Sequence, residues 1–265
     1  MKKWSEKIKE YQPALRCGFF YIRMTRMNKS VSIIVPAYNE EAKLKPTVDS
    51  ILERLENNMV SDFEIIIFDD ASTDKTGEIA DKLAKQISQI RVIHNPKNMN
   101  LGFNIARGFQ LAIKEYVGFV PGDNETAPEA LDNIFQAIGK ADIVAPFIQN
   151  PEVRPWGRRF LSRTYVMIIN TAFGLKIRYY NGMCYFKTAM VKKVKVSTNG
   201  FAYMTEILVK LLKSGANFIE VPMINRVRER GATKAFRLKN IVSVFKTFLT
   251  LFWEVQILKK RVILL

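Results

Sequence analysis

The chain has 265 residues, enough to bury a large core as one domain or as one domain with appendages. Its 48% apolar content excludes a disordered or fibrous chain, and its two cysteines, Cys17 and Cys184, exclude a disulfide framework or a cysteine metal site. The net charge of +16 sits at the ends: residues 1–30 carry eight Lys/Arg against two Glu, residues 226–265 carry ten against two, and the 195 residues between carry 23 against 21.

Basic ends suit an anionic surface, and between phospholipid and nucleic acid the nearly neutral body favours phospholipid. It shows no nucleic-acid motif and no basic strand interleaved with aromatics. Residues 1–30 mix these bases with Trp4, Ile8, Tyr11, Phe19, Phe20, Tyr21 and Ile22, the pattern of an amphipathic extension that lies on a surface or packs on the body. No signal-peptide pattern, internal repeat or low-complexity tract is seen.

Val31–Pro36 reads as a buried strand, followed by the loop Ala37–Glu41 and a helix over about 41–57. Phe63–Phe68 is a second core strand that runs into Asp69 and Asp70, and a helix follows to about residue 88. Arg91–Ile93 is a short third strand, and His94, the only histidine, is expected to be structural rather than catalytic or zinc-binding. A helix over 101–115 carries Gly102, Ala106, Gly108 and Ala112 at helical spacings, which suits close packing on a sheet. Val117–Val120 is the fourth strand and Asp142–Pro146 the fifth. Strands alternating with helices predict an α/β fold with right-handed crossovers and a mostly parallel sheet.

The fourth strand breaks at Pro121-Gly122 and sets Asp123 and Glu125 two residues apart, with Thr126 and Glu129 at capping-box spacing for the next helix. Acids at the carboxyl end of a strand lie where open α/β sheets bind ligands. Two hard carboxylates there suit Mg²⁺ or Mn²⁺ shared with a substrate diphosphate; the alternative is an acidic turn in which Asp123 only caps the helix. Asp69 and Asp70 converge on the same edge, and carboxylates accept hydrogen bonds from a base or ribose. The chain has no Gly-x-Gly-x-x-Gly and no Walker sequence, which argues against a dinucleotide or P-loop site.

Val31-Ser-Ile-Ile-Val-Pro-Ala-Tyr-Asn-Glu-Glu41 followed by Phe68-Asp-Asp-Ala-Ser-Thr-Asp-Lys-Thr76 resembles the opening of the family 2 glycosyltransferases, most closely the dolichol-phosphate-mannose-synthase-like branch. Asn98–Gly108, Gly122–Glu125 with Pro128-Glu129, and Arg228-Glu-Arg-Gly-Ala-Thr-Lys234 extend the resemblance over about 31–236. It implies a GT-A fold, one Rossmann-like domain that binds a UDP- or GDP-linked sugar with Mg²⁺ or Mn²⁺. Pro36, Tyr38 and Glu40 match the loop around the nucleotide base. Asp69 matches the base or ribose contact, with Asp70 beside it. Asp123 matches the second, metal-bound acid of the Asp-x-Asp motif, and Glu125 matches a Gln that holds metal or diphosphate. Pro121 stands where the first Asp is expected, so Glu125, acidic where the family has an amide, is expected to restore the missing charge.

In the acceptor half, Arg154, Arg158, Arg159 and Arg163 lead into the apolar segment Tyr165–Leu175, and Tyr179–Phe186 resembles the family's acceptor strand. Relatives that transfer to a hydroxyl place an Asp base after the Glu of a helix, but here Ile207 follows Glu206. Three readings remain open. The acceptor is a phosphate, whose second pKa of about 6 makes it an anion without help from a base; or it is a saccharide hydroxyl with Glu206 as base; or the site has decayed into a membrane-bound binder. On the first reading Arg158, Arg159 and Arg228 bind the acceptor phosphate. Arg228 and Lys234 then act catalytically with Asp123, and Gly231 lets their loop close. Residues 241–258 read as a helix with one narrow polar stripe, too charged at Lys246 and Glu254 for a clean span and ending at Lys259-Lys-Arg261, which lies at a membrane interface or, alternatively, packs on the domain or a dimer partner. The expectation is an inverting polyprenyl-phosphate glycosyltransferase of the cell envelope, monotopic or peripheral at the cytoplasmic face of the membrane, with homo-oligomers allowed. Its parts are an extension (1–30), the GT-A domain (31–236) and an interfacial helix (237–265).

Overall fold

The computed structural model describes residues 29–198, 202–224 and 238–258. The extension up to residue 28, the Arg228–Lys234 loop and the basic end from Lys259 lie outside the described residues.

The fold is an α/β sheet flanked by helices. β1 (Ser30–Ala37), α1 (Leu44–Asn57), β2 (Asp62–Asp69), α2 (Thr76–Gln86), β3 (Ile90–His94), α3 (Leu101–Leu111), β4 (Tyr116–Phe119), α4 (Pro128–Ala137) and β5 (Ile143–Ile148) alternate as the sequence predicts. Then follow α5 (Trp156–Phe173), β6 (Tyr185–Lys187), α6 (Thr188–Val191), α7 (Tyr203–Lys213), β7 (Phe218–Met223) and α8 (Leu238–Phe252). The seven strands lie in the order β3-β2-β1-β4-β6-β5-β7, and only β6 runs against its neighbours. Every parallel strand therefore ends on one edge. β1 has no apolar-polar alternation because helices cover both sheet faces, and Val31, Ile33, Ile34 and Val35 are all fully buried.

Small residues set two close approaches. A Cβ on Gly108 of α3 would stand 2.8 Å from Ile34 of β1, and one on Gly118 of β4 would run into the Tyr185 ring of β6. Two sequence expectations shift. The helix over 101–115 stops at Leu111. The capping box at Thr126 does not form: α4 begins with Pro128 in its first turn, where a missing N–H costs nothing, and Thr126 Oγ1 turns instead to the Met183 sulfur at 3.4 Å.

α8 continues into a π-helical turn, Trp253–Ile257. One face packs on the domain, with Phe248 and Phe252 edge-on to Phe173 of α5 and Gln256 Nε2 donating to the Ala172 carbonyl at 2.6 Å. The other face exposes Phe245, Leu249, Trp253 and Ile257, spaced by four. Among the described residues no helix is long and apolar enough to cross a membrane.

Candidate active site

The carboxyl edge of β1, β2 and β4 gathers the acidic residues. Ala37 pairs in register with Asp69, the Asp70 N–H donates to the Ala37 carbonyl at 2.9 Å, and the Gly122 N–H donates to the Pro36 carbonyl at 3.0 Å. Gly122 has no room for a side chain, since a Cβ would stand 3.1 Å from both Pro36 O and Ala37 Cβ. The turn that follows is held twice: the Glu125 N–H donates to Asp123 Oδ1 at 3.1 Å, and the N–H of Asn124, at φ 54°, donates to Thr47 Oγ1 at 3.0 Å. Glu40 lies within reach of the same charges. Burial pushes its carboxyl up; Lys43 opposes the shift, and the charges of Asp123, Glu125 and Asp74 add to it. Tyr38 stands exposed beside it on the loop after β1.

Asp69 and Asp70 are buried and do different work. Asp70 holds the turn before α3, with Oδ1 accepting from Asn95 Nδ2 and the Met99 N–H, both at 2.8 Å, and Oδ2 from the Asn100 N–H at 3.0 Å. Asp69 accepts from the Ser72 N–H at 3.0 Å and meets His94 Nδ1 at 2.9 Å. A carboxylate has about four lone-pair sites, so Asp69 keeps more capacity for a nucleotide than Asp70. The contact of His94 with Asp69 was not legible in the sequence.

Among the described residues no three His, Cys, Asp or Glu side chains group tightly enough to cage a metal ion. The donor set nevertheless fits Mg²⁺ or Mn²⁺. Mg²⁺ is commonly held by one or two carboxylates plus water and substrate phosphates; Asp123 and Glu125 supply two, and their charges, which add to the rise that burial causes at Glu40, are what a cation there would offset.

A second feature lies at the ends of β5 and α5. A cavity of about 400 Å³ is lined by Arg154, Arg159, Arg163 and Arg178, with Ser162 and Tyr179. Arg159, Ser162, Arg163, Val166 and Asn170 line it from one helical face of α5. The Arg159 Nε is buried and has no hydrogen-bond partner. Arg154 lies over the Tyr179 ring at 5.6 Å; Arg178 lies over Phe147 at 3.4 Å and pairs with Glu220 of β7 at 2.8 Å. Arg158, one residue away on the helix, does not line the cavity. Arg178 went unnoticed in the sequence because its partners Phe147 and Glu220 lie far along the chain. The cavity and the acidic turn share one edge: β5 leads into the one and β4 into the other, and with β6 between them these strands stand roughly two strand spacings or ~10 Å apart. The segment between them is continuous: Met183 touches Thr126, Gly182 fits against the Pro146 carbonyl with 2.7 Å for an added Cβ, and Tyr179 lines the cavity.

Glu206 on α7 corrects an expectation. It is 1% exposed, Oε1 accepts from Lys210 Nζ at 2.6 Å and from the Ser197 N–H and Oγ at 2.9 Å, and Oε2 accepts from the Thr198 N–H at 3.2 Å. Lys210, 3% exposed, also reaches Glu254 at 3.2 Å and the Lys195 carbonyl at 2.7 Å. A carboxylate bound this completely anchors a loop; it is not presented to an acceptor. Arg228 and Lys234 lie outside the described residues.

Comparison with known proteins follows the same lines. The family model described as glycosyl transferase family 2 matches residues 32–200. Similar proteins include the dolichol-phosphate mannosyltransferase of Pyrococcus furiosus, 28% identical over 77% of this chain and 58% of that one. Another is glycosyltransferase AglD of Haloferax volcanii, 26% identical over 88% of this chain and 38% of that one, so the chain spans only part of the length of these two. The polyprenol monophosphomannose synthase of Mycolicibacterium smegmatis is 25% identical over 79% of this chain and 82% of its own. Among solved structures, glucosyl-3-phosphoglycerate synthase from Mycobacterium tuberculosis, in complex with Mn²⁺, UDP and phosphoglyceric acid, superposes with a TM-score of 0.63 at 18% identity over 84% of this chain and 78% of that one. A mannosyltransferase from Pyrobaculum calidifontis with GDP-Man and Mn²⁺ superposes with a TM-score of 0.62 at 18% identity, over 85% and 65%. These likenesses are of fold, the GT-A fold that the resemblance implied.

Proposed function

The chain belongs to glycosyl transferase family 2, and from that premise we propose that it transfers a sugar, with inversion, from a UDP- or GDP-linked donor to the phosphate of a polyprenyl or dolichyl phosphate at a membrane surface. The observation that carries this reading is the arginine-lined cavity with the unpartnered, buried Arg159 Nε, on the same sheet edge as the acidic turn. A cavity so lined suits an anion, and Arg forks phosphate oxygens in pairs.

The donor lies along the edge between Tyr38, Glu40 and Asp69, its diphosphate at Asp123 and Glu125. These two carboxylates would hold Mg²⁺ or Mn²⁺, which when bound neutralises the departing nucleoside diphosphate. Arg159 and Arg163 hold the acceptor phosphate facing the sugar. One of its oxygens forms a bond to the anomeric carbon as the bond to the leaving diphosphate breaks, and no proton changes hands. The chain contributes placement and charge. Arg228 and Lys234 are proposed to add positive charge over both phosphate groups. The locked state of Glu206 supports a phosphate acceptor over a saccharide hydroxyl, whose deprotonation would need a base.

A lipid acceptor calls for exposed apolar groups, and two helices supply them. Trp156 and Phe160 stack at 5.8 Å on the exposed side of α5, and α8, packed on the end of α5, exposes Phe245, Leu249, Trp253 and Ile257. With basic chain ends, these groups suit the cytoplasmic leaflet, where anionic lipids attract Lys and Arg.

The test is transfer from a panel of labelled UDP- and GDP-sugars to polyprenyl phosphate in anionic vesicles, beside free saccharides and polyprenol. Transfer to the phosphate alone supports the reading; transfer to saccharide or polyprenol with none to the phosphate overturns it.

A further inference from the structure

His94 is the chain's only histidine, and it stands between two carboxylates at the rim of the acidic edge. Its Nδ1 lies 2.9 Å from Asp69 Oδ2 at the end of β2, and its Nε2 lies 3.1 Å from Asp81 Oδ1 on α2. These are the charged groups that face the ring among the described residues. The first turn of α2 is cut away to admit the contact: a Cβ on Gly77 would stand 2.9 Å from Asp69 Oδ2 and 3.4 Å from His94 Cε1. Asp69 is buried, while His94 and Asp81 are about half exposed, so the ring connects the buried carboxylate to solvent.

Two acceptors on two ring nitrogens demand two donated protons, which only the imidazolium carries. The hydrogen bond that His94 donates to Asp69 raises the pKa of His94, burial opposes the shift, and Asp81 adds to the rise. Neutral His94 can still donate to Asp69, but its other nitrogen then presents a lone pair to the Asp81 carboxylate and that half of the clamp opens.

We propose that His94 is a positioning residue for the donor nucleotide: its proton holds Asp69 in place against the base or ribose, and nucleotide binding and protonation of His94 are therefore linked. The inference rests on the reading of Asp69 as a nucleotide contact. The sign follows from the chemistry. The protonated ring fixes Asp69 and adds a positive charge near an anionic ligand, so affinity is full below the raised pKa of His94 and falls as pH rises through it. By reciprocity, nucleotide raises the midpoint of the ring.

With a single histidine, one pair of imidazole resonances reports the titration without assignment. The experiment is calorimetric binding of UDP and GDP with Mg²⁺ to the full chain from about pH 6 to about pH 9, alongside NMR titration of the ring with and without nucleotide. The expected result is about tenfold weaker binding at the alkaline end and an upward shift of the ring midpoint with nucleotide. Asp81→Asn should move both midpoints down together, and His94→Gln should bind at the alkaline level at every pH. In turnover these variants should change the KM for the sugar nucleotide far more than kcat. Nucleotide binding with flat pH dependence and an unmoved ring midpoint overturns the linkage while leaving the proposed function intact. Binding of neither nucleotide at any pH overturns the proposed function and the linkage with it.

Discussion

Glu206→Gln separates an anchor from a base. Glu206 and Lys210 are both buried, and removing one member of a buried ion pair typically costs about 3–5 kcal/mol, because the other charge is left uncompensated. Here Lys210 keeps Glu254 at 3.2 Å and the Lys195 carbonyl at 2.7 Å, which lowers the loss to about 2–3 kcal/mol. Gln adds a mismatch of its own: with its oxygen toward Lys210 and Ser197, its amide N–H₂ faces the Thr198 N–H. In a chain of this size 1 kcal/mol moves Tm by about 2–4 °C, so the variant should melt about 5–10 °C lower. Its kcat, measured well below that midpoint with polyprenyl phosphate as acceptor, should fall by less than about fivefold, against the 10²- to 10⁴-fold, in order of magnitude, that loss of a general base costs. Unfolding followed by circular dichroism and kcat by label transfer read the two effects separately. A Gln variant with unchanged Tm and a hundredfold loss of kcat would refute the anchor reading and revive a hydroxyl acceptor.

Glu125→Gln should raise the Mg²⁺ or Mn²⁺ concentration needed for half-maximal transfer, and Asp123→Ala should abolish transfer at any metal concentration; an identical metal titration for Glu125→Gln rejects its role. Arg159→Met should lower kcat/KM for the lipid phosphate about 10- to 100-fold, the loss expected for a charge-assisted hydrogen bond of about 1.5–3 kcal/mol, and leave the KM for the sugar nucleotide unchanged. Equal losses for both substrates would place Arg159 in the fold rather than in the acceptor site. Trp156 is 73% exposed and Trp253 58%, so the paired change Trp156→Ser with Trp253→Ser should hardly alter Tm. It should weaken co-sedimentation with anionic vesicles by more than tenfold, since each large apolar side chain contributes about 1.5–3 kcal/mol when buried; undiminished vesicle binding would remove these side chains from the membrane.

What the sequence made legible was local. Asp69, Asp70 and Asp123 follow strands whose apolar runs are unmistakable, and the carboxyl edge collects what such strands end in. The same rule missed β6 as an antiparallel strand, because three residues between Tyr185 and Lys187 carry no direction; their pairing with β4 and β5 is decided by the fold. Thr126 and Glu129 have capping-box spacing, yet Pro128 set the helix start instead. Arg158 and Arg159 looked equivalent as neighbours, but a step of 100° around α5 turns one into the cavity and the other off it. The anchoring of Glu206 did leave a trace in the sequence, since Lys210 lies one helical turn on at the spacing of a helix ion pair. Its burial left none, and burial turns that pair from a surface feature into an anchor.

The inserted strand also explains the charge arrangement. β6 stands between β4, which leads into the acidic turn, and β5, which leads into the arginine cavity. At a separation of about 10 Å, and at an effective dielectric of about 20, two unit charges repel by about 1.7 kcal/mol, and two doubly charged phosphate groups by about 7 kcal/mol. A protein that brings donor and acceptor together has to offset that repulsion at both ends. The acidic turn cannot do so by itself, because its carboxylates add to the repulsion unless a cation lies between them and the diphosphate. On the proposed function that task falls to the arginines of the cavity of about 400 Å³, of which Arg178 is already paired with Glu220. On this account metal and arginines are not redundant. Loss of metal should abolish transfer, whereas loss of Arg159 should weaken the use of the acceptor alone.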